Sequence, residues 1–183
     1  MARNGKVSHD ARASQPARAH RALATPTDLT PAEVAAVAGA VNPLISDALA
    51  LYVKIKNYHW HVSGPRFRDL HLLLDEQAEQ VLESIDPLAE RLRKIGATTL
   101  RSLGHARTLS GINDDDDDFV SPQRMVERLL ADHVRVTARL RGAIEVCERS
   151  RDKATADALL EVIDQCERRT WFLHEIAQGG SVR

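Results

Sequence analysis

The chain has 183 residues, of which 43% are apolar and only 4% aromatic, and its formal net charge at pH 7 is −1. This length suits one domain with extensions, and the near-neutral charge excludes binding to nucleic acid or membranes through overall charge alone. The charge is uneven, because residues 1–27 hold five cations against one acid, a net of +4, which leaves −5 for residues 28–183. The abundance of helix-forming residues predicts an all-α fold.

The two cysteines and the apolar pattern predict a cellular location. Cys147 and Cys166 belong to no CxxC motif and have no histidine at ligand spacing, so we expect two buried thiols in a reducing compartment. No continuous apolar run approaches the roughly 20 residues that span a bilayer, and the start of the chain lacks the apolar segment of a signal peptide. We therefore expect a cytoplasmic protein without a membrane partner.

The first part of the chain combines an arm with a helix. Residues 1–28 have no apolar periodicity and are predicted to form a flexible basic arm. Thr30-Pro31-Ala32-Glu33 has the form of a capping box, which predicts a helical turn or two. Pro43 is expected to interrupt that segment, so the first main helix is predicted over residues 43–61, with Asn42 as its cap.

The rest of the chain shows helical periodicity with one long interruption. Three more helices are expected, over residues 66–95 with Gly96 at the end, from Ser121-Pro122 onward, and over residues 155–177 with Thr155 as the cap. Residues 97–120 form a long connection that carries a short helix near residues 98–106. Such a crossover predicts a ferritin-like four-helix bundle over residues 29–178, followed by a short tail at 179–183.

Two couples of potential metal ligands lie on the second predicted helix. His71 and Asp75 are four residues apart and share a helix face, and so do Asp86 and Glu90. At 1.5 Å per residue, His71 and Asp86 are about 22 Å apart along one helix, too far for a shared ion. One chain therefore cannot close a site from both couples.

The spacing of the couples suggests how two chains would do so. The couples are symmetric about a point between Gln80 and Val81. If residues 66–95 pack antiparallel against their copy across a two-fold axis at that point, each His–Asp couple faces the Asp–Glu couple of the other chain. His59 lies on the apolar stripe at the end of the preceding helix, where a buried polar group needs a partner, so we expect it beside its own chain's His–Asp couple.

These five side chains would form a set of oxygen and nitrogen ligands. Three carboxylates and two imidazoles carry a charge of about −3 and suit Fe²⁺, Mn²⁺ or Zn²⁺. No thiolate is in reach, which argues against a cysteine-based structural zinc site. An isolated pair of this kind is typical of a solvated helix face. Two pairs, a histidine on the apolar stripe and their symmetry together favour a metal site.

One combination of residues carries a family pattern. Its members are His59-Trp60, Gly64-Pro65, Phe67, Leu70-His71, Asp75 and the block from Asp86 to Arg91. The pattern resembles the signature of the Dps family of mini-ferritins, the DNA-binding proteins of starved cells, over about residues 30–177. Its spacing matches the ferroxidase ligands of that family, which implies a catalytic metal site formed by His59, His71, Asp75, Asp86 and Glu90.

The resemblance implies a hollow dodecamer of four-helix subunits. Such proteins oxidise Fe²⁺, mainly with hydrogen peroxide, at di-iron centres between subunits, and store the ferric mineral inside; zinc or manganese are possible substitutes for iron. No Glu-x-x-His motif occurs in the chain, which favours an interface site over one inside the bundle. The chain departs from the family pattern at two positions. His61 stands where the family often has asparagine, and it would be either an extra ligand or a polar neighbour. Pro87 lies between two ligands, where it should kink the helix.

Several secondary features have two interpretations. Trp60 is expected to pack in the core, or else to line the site and trap radicals. The run Asp114–Asp118 is expected to be a solvated loop, or else to attract Fe²⁺ electrostatically. By resemblance to the acid-lined pore of the family, Asp152, Asp157 and Glu161 are candidates for an iron entry pore.

The basic arm is a candidate DNA-binding segment. Its cations could bind DNA phosphates without sequence preference, with many arms on one oligomer acting together; they are Arg3, Lys6, Arg12, Arg18 and Arg21. Whether DNA is bound, and whether the protein associates with the nucleoid, stays open. The rival function is a structural nucleoid protein that compacts DNA through its arms, with the metal cluster serving only to stabilise a dimer.

Overall fold

A computed structural model describes residues 22–178 of the chain. These residues contain six helices and no strand: α1 (Pro31–His61), α2 (Phe67–Glu83), α3 (Ile85–Lys94), α4 (Leu103–Leu109), α5 (Pro122–Arg149) and α6 (Lys153–Gln178). α1 packs against α2 and α5, and α5 packs along α6. With α3 continuing the direction of the chain after α2, this is the predicted all-α four-helix bundle, and α4 is the short helix of the long connection.

α1 is longer than the sequence suggested. It is one helix of 31 residues, capped by Thr30 in the predicted capping box, and Pro43 lies inside it. The prediction that Pro43 interrupts the helix is wrong, because Val37 and Val41 are fully buried and hold the preceding turns on the core. Asn42 caps no helix, and its Nδ2 donates instead to the carbonyl oxygen of Thr98 at 3.0 Å.

By length and composition alone, α1 could span a membrane. From the sequence, no apolar run of that length was expected. Core helices of soluble proteins have the same composition. In this fold the apolar face of α1 packs against α2 and α5.

The helix predicted over residues 66–95 is divided in two. α2 ends at Glu83 and α3 begins at Ile85, with Ser84 between them. The ring of Pro87 would clash with the carbonyl oxygen four residues earlier in a continuous helix. The helix therefore breaks after Glu83 and not at the proline itself. Pro87 then lies in the first turn of α3, where a missing N–H leaves no helical hydrogen bond unmade. The helix is thus interrupted about one turn upstream of the proline where the kink was predicted.

The end of α3 meets the segment that precedes α1. Gly96 adopts a positive φ of 82°, as a C-terminal glycine does, and a Cβ there would lie 3.2 Å from the backbone nitrogen of Thr25. Thr25 Oγ1 donates to the carbonyl oxygen of Arg93 at 2.9 Å, and Arg93 Nη2 donates to that of Leu23 at 2.7 Å. Residues 22–28 therefore contact the bundle, whereas the boundaries of the arm at 1–28 and of the tail at 179–183 stay predictions.

The long connection is fixed by one buried carboxylate. Asp47 of α1 is fully buried and accepts hydrogen bonds from Ser110 Oγ, from the Gly111 N–H at 2.7 Å and from Arg139 of α5. α4 begins at Leu103, later than expected, because Ser102 caps it by accepting from the His105 N–H.

The cap of α6 is a different residue from the predicted one. α6 begins at Lys153, and the Thr155 N–H donates to Asp152 Oδ1 at 3.1 Å, so Asp152 and not Thr155 is the cap. Arg91 Nη2 also contacts Asp152 Oδ1 at 2.9 Å, and only 2% of the Asp152 side chain is exposed. The structure therefore contradicts a pore role for Asp152. Cys147 and Cys166 are free and buried, as predicted.

Candidate metal centre

Two histidines form the centre of the candidate site. The rings of His59, near the end of α1, and His71, on α2, are stacked with centroids 3.8 Å apart and planes at 19°. His59 Nδ1 donates to the carbonyl oxygen of His71 at 2.8 Å, and His71 Nδ1 donates to that of His59 at 2.9 Å. Because a carbonyl oxygen only accepts, each Nδ1 carries a hydrogen, and in the neutral form of each imidazole Nε2 therefore keeps a lone pair. Metal-binding histidines take this form.

Asp75 lies one turn after His71 on α2 and completes the group. Its Oδ1 is 3.9 Å from His59 Nε2 and 2.6 Å from Lys56 Nζ. The hydrogen bond from the Lys56 ammonium is the main cause that lowers the pKa of Asp75, so the carboxylate is ionised at neutral pH. The structure thus brings together three of the five predicted ligands.

Lys56 is a residue of the candidate site that was not predicted from the sequence. It lies one turn before His59 on α1, and its side chain is only 19% exposed. That spacing was visible in the sequence, but the contact depends on how α2 packs against α1. The ammonium occupies the space next to Asp75 Oδ1 where a metal ion would be attracted.

Aromatic and aliphatic side chains next to the histidines are exposed. Phe67 stacks on the His71 ring with centroids 5.0 Å apart, yet it is 45% exposed. Trp60 is 64% exposed, so its predicted packing in the core is wrong. Leu72, which follows His71, is 50% exposed. Exposed apolar side chains grouped beside polar ones are typical of an interaction surface.

The other two predicted ligands lie elsewhere in the chain. Asp86 and Glu90 are exposed on α3, and Glu90 contacts Lys94 at 3.4 Å. Within residues 22–178, no group of three or more histidine, cysteine, aspartate or glutamate side chains is arranged to hold a metal ion by itself. A single chain therefore carries a His–His–Asp half-site and, on another helix, two exposed carboxylates.

His61 faces a different part of the surface. Its Nδ1 donates to the carbonyl oxygen of Asn57 at 2.8 Å, and its ring lines a groove of about 420 Å³ with the loop Asp115–Asp118. In this chain His61 is a polar residue outside the half-site, which supports the polar-neighbour interpretation.

The acidic run is not simply a solvated loop. Asp115 is buried at its side chain, where it accepts hydrogen bonds from the Tyr58 hydroxyl and, at 2.6 Å, from Arg128. Burial, together with this hydrogen bond, raises the pKa of Tyr58 above its usual range. Arg128 also contacts Asp117 at 2.9 Å. The run therefore fixes the connection to α1 and α5, and the expectation of a fully solvated run is wrong for Asp115.

The remaining candidates are exposed or outside the described residues. Asp157 and Glu161 are exposed on α6. The arm cations lie outside the described residues, and they are Arg3, Lys6, Arg12, Arg18 and Arg21.

Comparisons with known proteins agree with this fold. A model described as a ferritin-like domain matches residues 38–180. An uncharacterized low temperature-induced protein of Nostoc is 33% identical over 152 residues, 82% of this chain and 85% of that protein. A DNA protection during starvation protein of Brevibacillus brevis is 32% identical over 137 residues, 75% of this chain and 91% of that protein.

A solved structure extends the similarity to three dimensions. DpsC from Streptomyces coelicolor superimposes with a TM-score of 0.80 at 29% identity, over 82% of this chain and 88% of that one. The family model, these relatives and the all-helical bundle agree with the residue pattern around the two stacked histidines. The chain belongs to the Dps family of ferritin-like mini-ferritins.

Proposed function

We propose that the protein is a ferroxidase and iron store of the Dps type, which oxidises Fe(II) with hydrogen peroxide at sites shared by two chains and keeps the ferric mineral inside a hollow oligomer. Membership of the family supports iron storage and DNA protection in general terms. The geometry around His59 and His71 supports ferroxidase activity at a shared site. Two imidazoles with free Nε2 atoms lie beside the ionised Asp75, while Asp86 and Glu90 remain exposed on α3.

The ligand set suits this substrate. Imidazole nitrogens and carboxylate oxygens bind Fe(II), and three negative charges favour the Fe(III) product over Fe(II). Two Fe(II) ions lose one electron each, and one hydrogen peroxide molecule takes both electrons with two protons to form two water molecules. The reaction consumes Fe(II) and peroxide, which together would otherwise generate hydroxyl radicals near DNA. Zinc or manganese would bind the same ligands, and zinc, which has no redox chemistry, would not be oxidised.

The site would be completed by a second copy. If α2 and α3 pack antiparallel against those of another chain, the exposed carboxylates of α3 meet the His–His–Asp group of that chain. The symmetric spacing of the couples and the exposed Trp60, Phe67 and Leu72 support this contact. Trp60 would then line the site. A dodecamer built from such dimers would hold the mineral, and Asp157 and Glu161 are candidates for the path by which iron enters.

Mixing two inactive variants tests the shared site. One variant is His71→Ala/Asp75→Ala and the other is Asp86→Ala/Glu90→Ala. In a mixed dimer one site contains all the substitutions and the other contains none. Random pairing after joint refolding should therefore restore about one quarter of the wild-type Fe(II) oxidation, since about half of the dimers are mixed and each has one intact site of two.

The same experiment can overturn the proposal. Each variant alone should leave Fe(II) unoxidised after anaerobic loading and addition of peroxide, whereas Asp164→Ala/Glu175→Ala, which removes two exposed carboxylates of α6, should retain activity. Activity in either unmixed variant would refute the ligand assignment. Differently tagged chains would show whether mixed dimers form. If they form and the mixture of two inactive variants stays inactive, the shared site is refuted.

The second candidate is the structural nucleoid protein, and the net charge of +4 on residues 1–27 favours it. In that case the metal cluster only stabilises the dimer and the arms bind DNA without sequence preference. A wild-type protein that binds Fe(II) but does not oxidise it with peroxide would favour this candidate. Either function fits a cytoplasmic protein, and DNA binding would add association with the nucleoid.

A further inference from the structure

Three buried polar side chains inside the bundle lack partners. Gln77 of α2, His133 of α5 and Arg169 of α6 are 2%, 0% and 4% exposed. Four of their side-chain atoms have no hydrogen-bond partner among the residues that the structure describes. They are Gln77 Nε2, Gln77 Oε1, His133 Nε2 and Arg169 Nε. A buried polar atom without a hydrogen bond is costly and rare in native proteins, so this group needs an explanation.

Neighbouring residues connect the three helices that carry these side chains, and we call the three side chains and these neighbours the cluster. Arg169 Nη1 is 3.4 Å from Gln80 Oε1, and Gln80 lies one turn after Gln77 on α2. Cys166 lies one turn before Arg169 on α6, and its Sγ is 3.5 Å from His133 Nδ1. The cluster therefore links α2, α5 and α6 in the interior of the bundle.

The cluster carries one uncompensated positive charge. A guanidinium does not lose its proton in a protein, and Arg169 forms no salt bridge with any residue of the range 22–178. His133 is neutral, because burial and the nearby Arg169 lower its pKa to about 3. Burial raises the pKa of the Cys166 thiol, which therefore does not supply a negative charge at neutral pH. A buried charge without a counter-charge is strongly unfavourable.

A groove connects this charge to the surface. It has a volume of about 440 Å³, lies between α6 and the junction of α2 with α3, and reaches Arg169. Gln80, Ser84 and Arg168 line it together with two acids, Glu83 and Glu161. The groove is a route for a small ion, and the two acids at its wall disfavour an anion with several charges.

We propose that the cluster binds a small monovalent anion of the halide class, which accepts hydrogen bonds from Arg169 Nε, Gln77 Nε2 and His133 Nε2. The anion neutralises the guanidinium and satisfies three of the unpartnered atoms. A cation is disfavoured there by the charge of Arg169. The bound anion holds α2, α5 and α6 together beneath the junction from which α3 presents Asp86 and Glu90. This site is independent of the proposed ferroxidase function.

Bromide is the probe, because it scatters anomalously and resembles chloride. Crystals of the full-length protein, transferred from halide-free to bromide solution, should show an anomalous peak between the three side chains. In solution, the midpoint of thermal unfolding should rise with bromide and saturate, as expected for a ligand of the folded state. Gluconate at equal ionic strength should not produce this rise, since it is too large for the site.

Matched variants assign the effect to the cluster. Arg169→Met removes the charge at similar volume and should abolish the saturable response to bromide. Arg101→Met, at an exposed position of the long connection outside the groove, should keep it. Gln77→Met provides a second test if Arg169→Met does not fold, and it should weaken the response by removing one donor.

Three results would overturn the proposal. The first is a map with water molecules and no anomalous peak at the cluster. The second is an equal bromide response in Arg169→Met and wild type. The third is the ultraviolet absorbance of a thiolate at neutral pH in the wild type that disappears in Cys166→Ser, because Cys166 would then be the counter-ion. None of these results depends on whether the protein oxidises iron.

Discussion

The reciprocal hydrogen bonds between His59 and His71 define the half-site at the scale of single residues. Each imidazole uses Nδ1 to hold the backbone of the other residue, so each ring is fixed in position and in tautomer before any metal binds. The sequence predicted that His59 lies on the apolar stripe and needs a partner. It did not predict that the partner is a carbonyl oxygen of α2, because that contact requires the turn between the helices to bring them together.

Lys56 should compete with metal ions for Asp75. In Lys56→Met we expect about thirtyfold tighter binding of Zn²⁺ to the half-site, since the repulsion between one positive charge and a divalent ion at about 4 Å is about 2 kcal/mol in a water-like environment. Isothermal titration calorimetry measures the change, and Lys153→Met, at an exposed position of α6, serves as the control. Weaker binding in Lys56→Met would show instead that the lysine holds Asp75 in the binding geometry.

His133 should make the protein less stable as the pH falls. In the unfolded chain a histidine binds a proton below about pH 6.5, whereas the buried His133 stays neutral down to about pH 3. The free energy of unfolding should therefore fall between about pH 6.5 and 5, with a contribution of up to about 1.4 kcal/mol per pH unit. Urea unfolding in halide-free buffer, which leaves the proposed anion site empty, measures this slope.

The control for that slope is His133→Gln, which keeps a polar side chain and cannot titrate. Its free energy of unfolding should change less with pH than that of the wild type over the same range. Identical slopes in the two proteins would contradict a buried neutral histidine.

At the scale of helices, the prolines acted differently from the sequence prediction. Pro43 leaves α1 continuous, whereas Pro87 coincides with a break at Ser84. The difference comes from packing, because both sides of Pro43 are anchored by buried residues such as Val41 and Ile45. Local sequence rules include the missing hydrogen bond of a proline but not the burial that compensates for it.

Asp47 should be essential for fixing the long connection to the bundle. Asp47→Ala removes the acceptor of Arg139 and of the Gly111 N–H from a fully buried position. We expect a loss of about 3 kcal/mol or more in the free energy of unfolding, as for other broken buried ion pairs. Denaturant unfolding measures it, and Asp157→Ala on the surface should change stability by less than about 0.5 kcal/mol. A similarly small change in Asp47→Ala would contradict this role.

At the scale of the whole molecule, the five predicted ligands do not meet within one chain. The His–His–Asp group and the carboxylates of α3 are far apart along the same bundle, and a symmetric pairing of two chains would unite them. The sequence predicted this separation from helix geometry alone. The break at Ser84 lies between the two couples, which helix spacing alone could not anticipate.

The arm should decide whether the assembled protein binds DNA. Deletion of residues 1–27 removes a net charge of +4 and should abolish retardation of DNA in a gel at low salt. Retardation by the full-length protein should weaken steeply as the salt concentration rises. Unchanged retardation after the deletion would contradict the role of the arm cations.

The sequence by itself determined the fold class, the main helices and the family pattern, and it predicted the half-site residues, because helical periodicity and ligand spacing are local properties. Only the tertiary structure decided which polar groups are buried and with what partners. Asp152 became a helix cap, Asp115 an anchor, Lys56 a partner of Asp75 and Arg169 an unpaired internal charge. These roles depend on side chains from distant helices, whose proximity is set by packing and not by spacing along the chain.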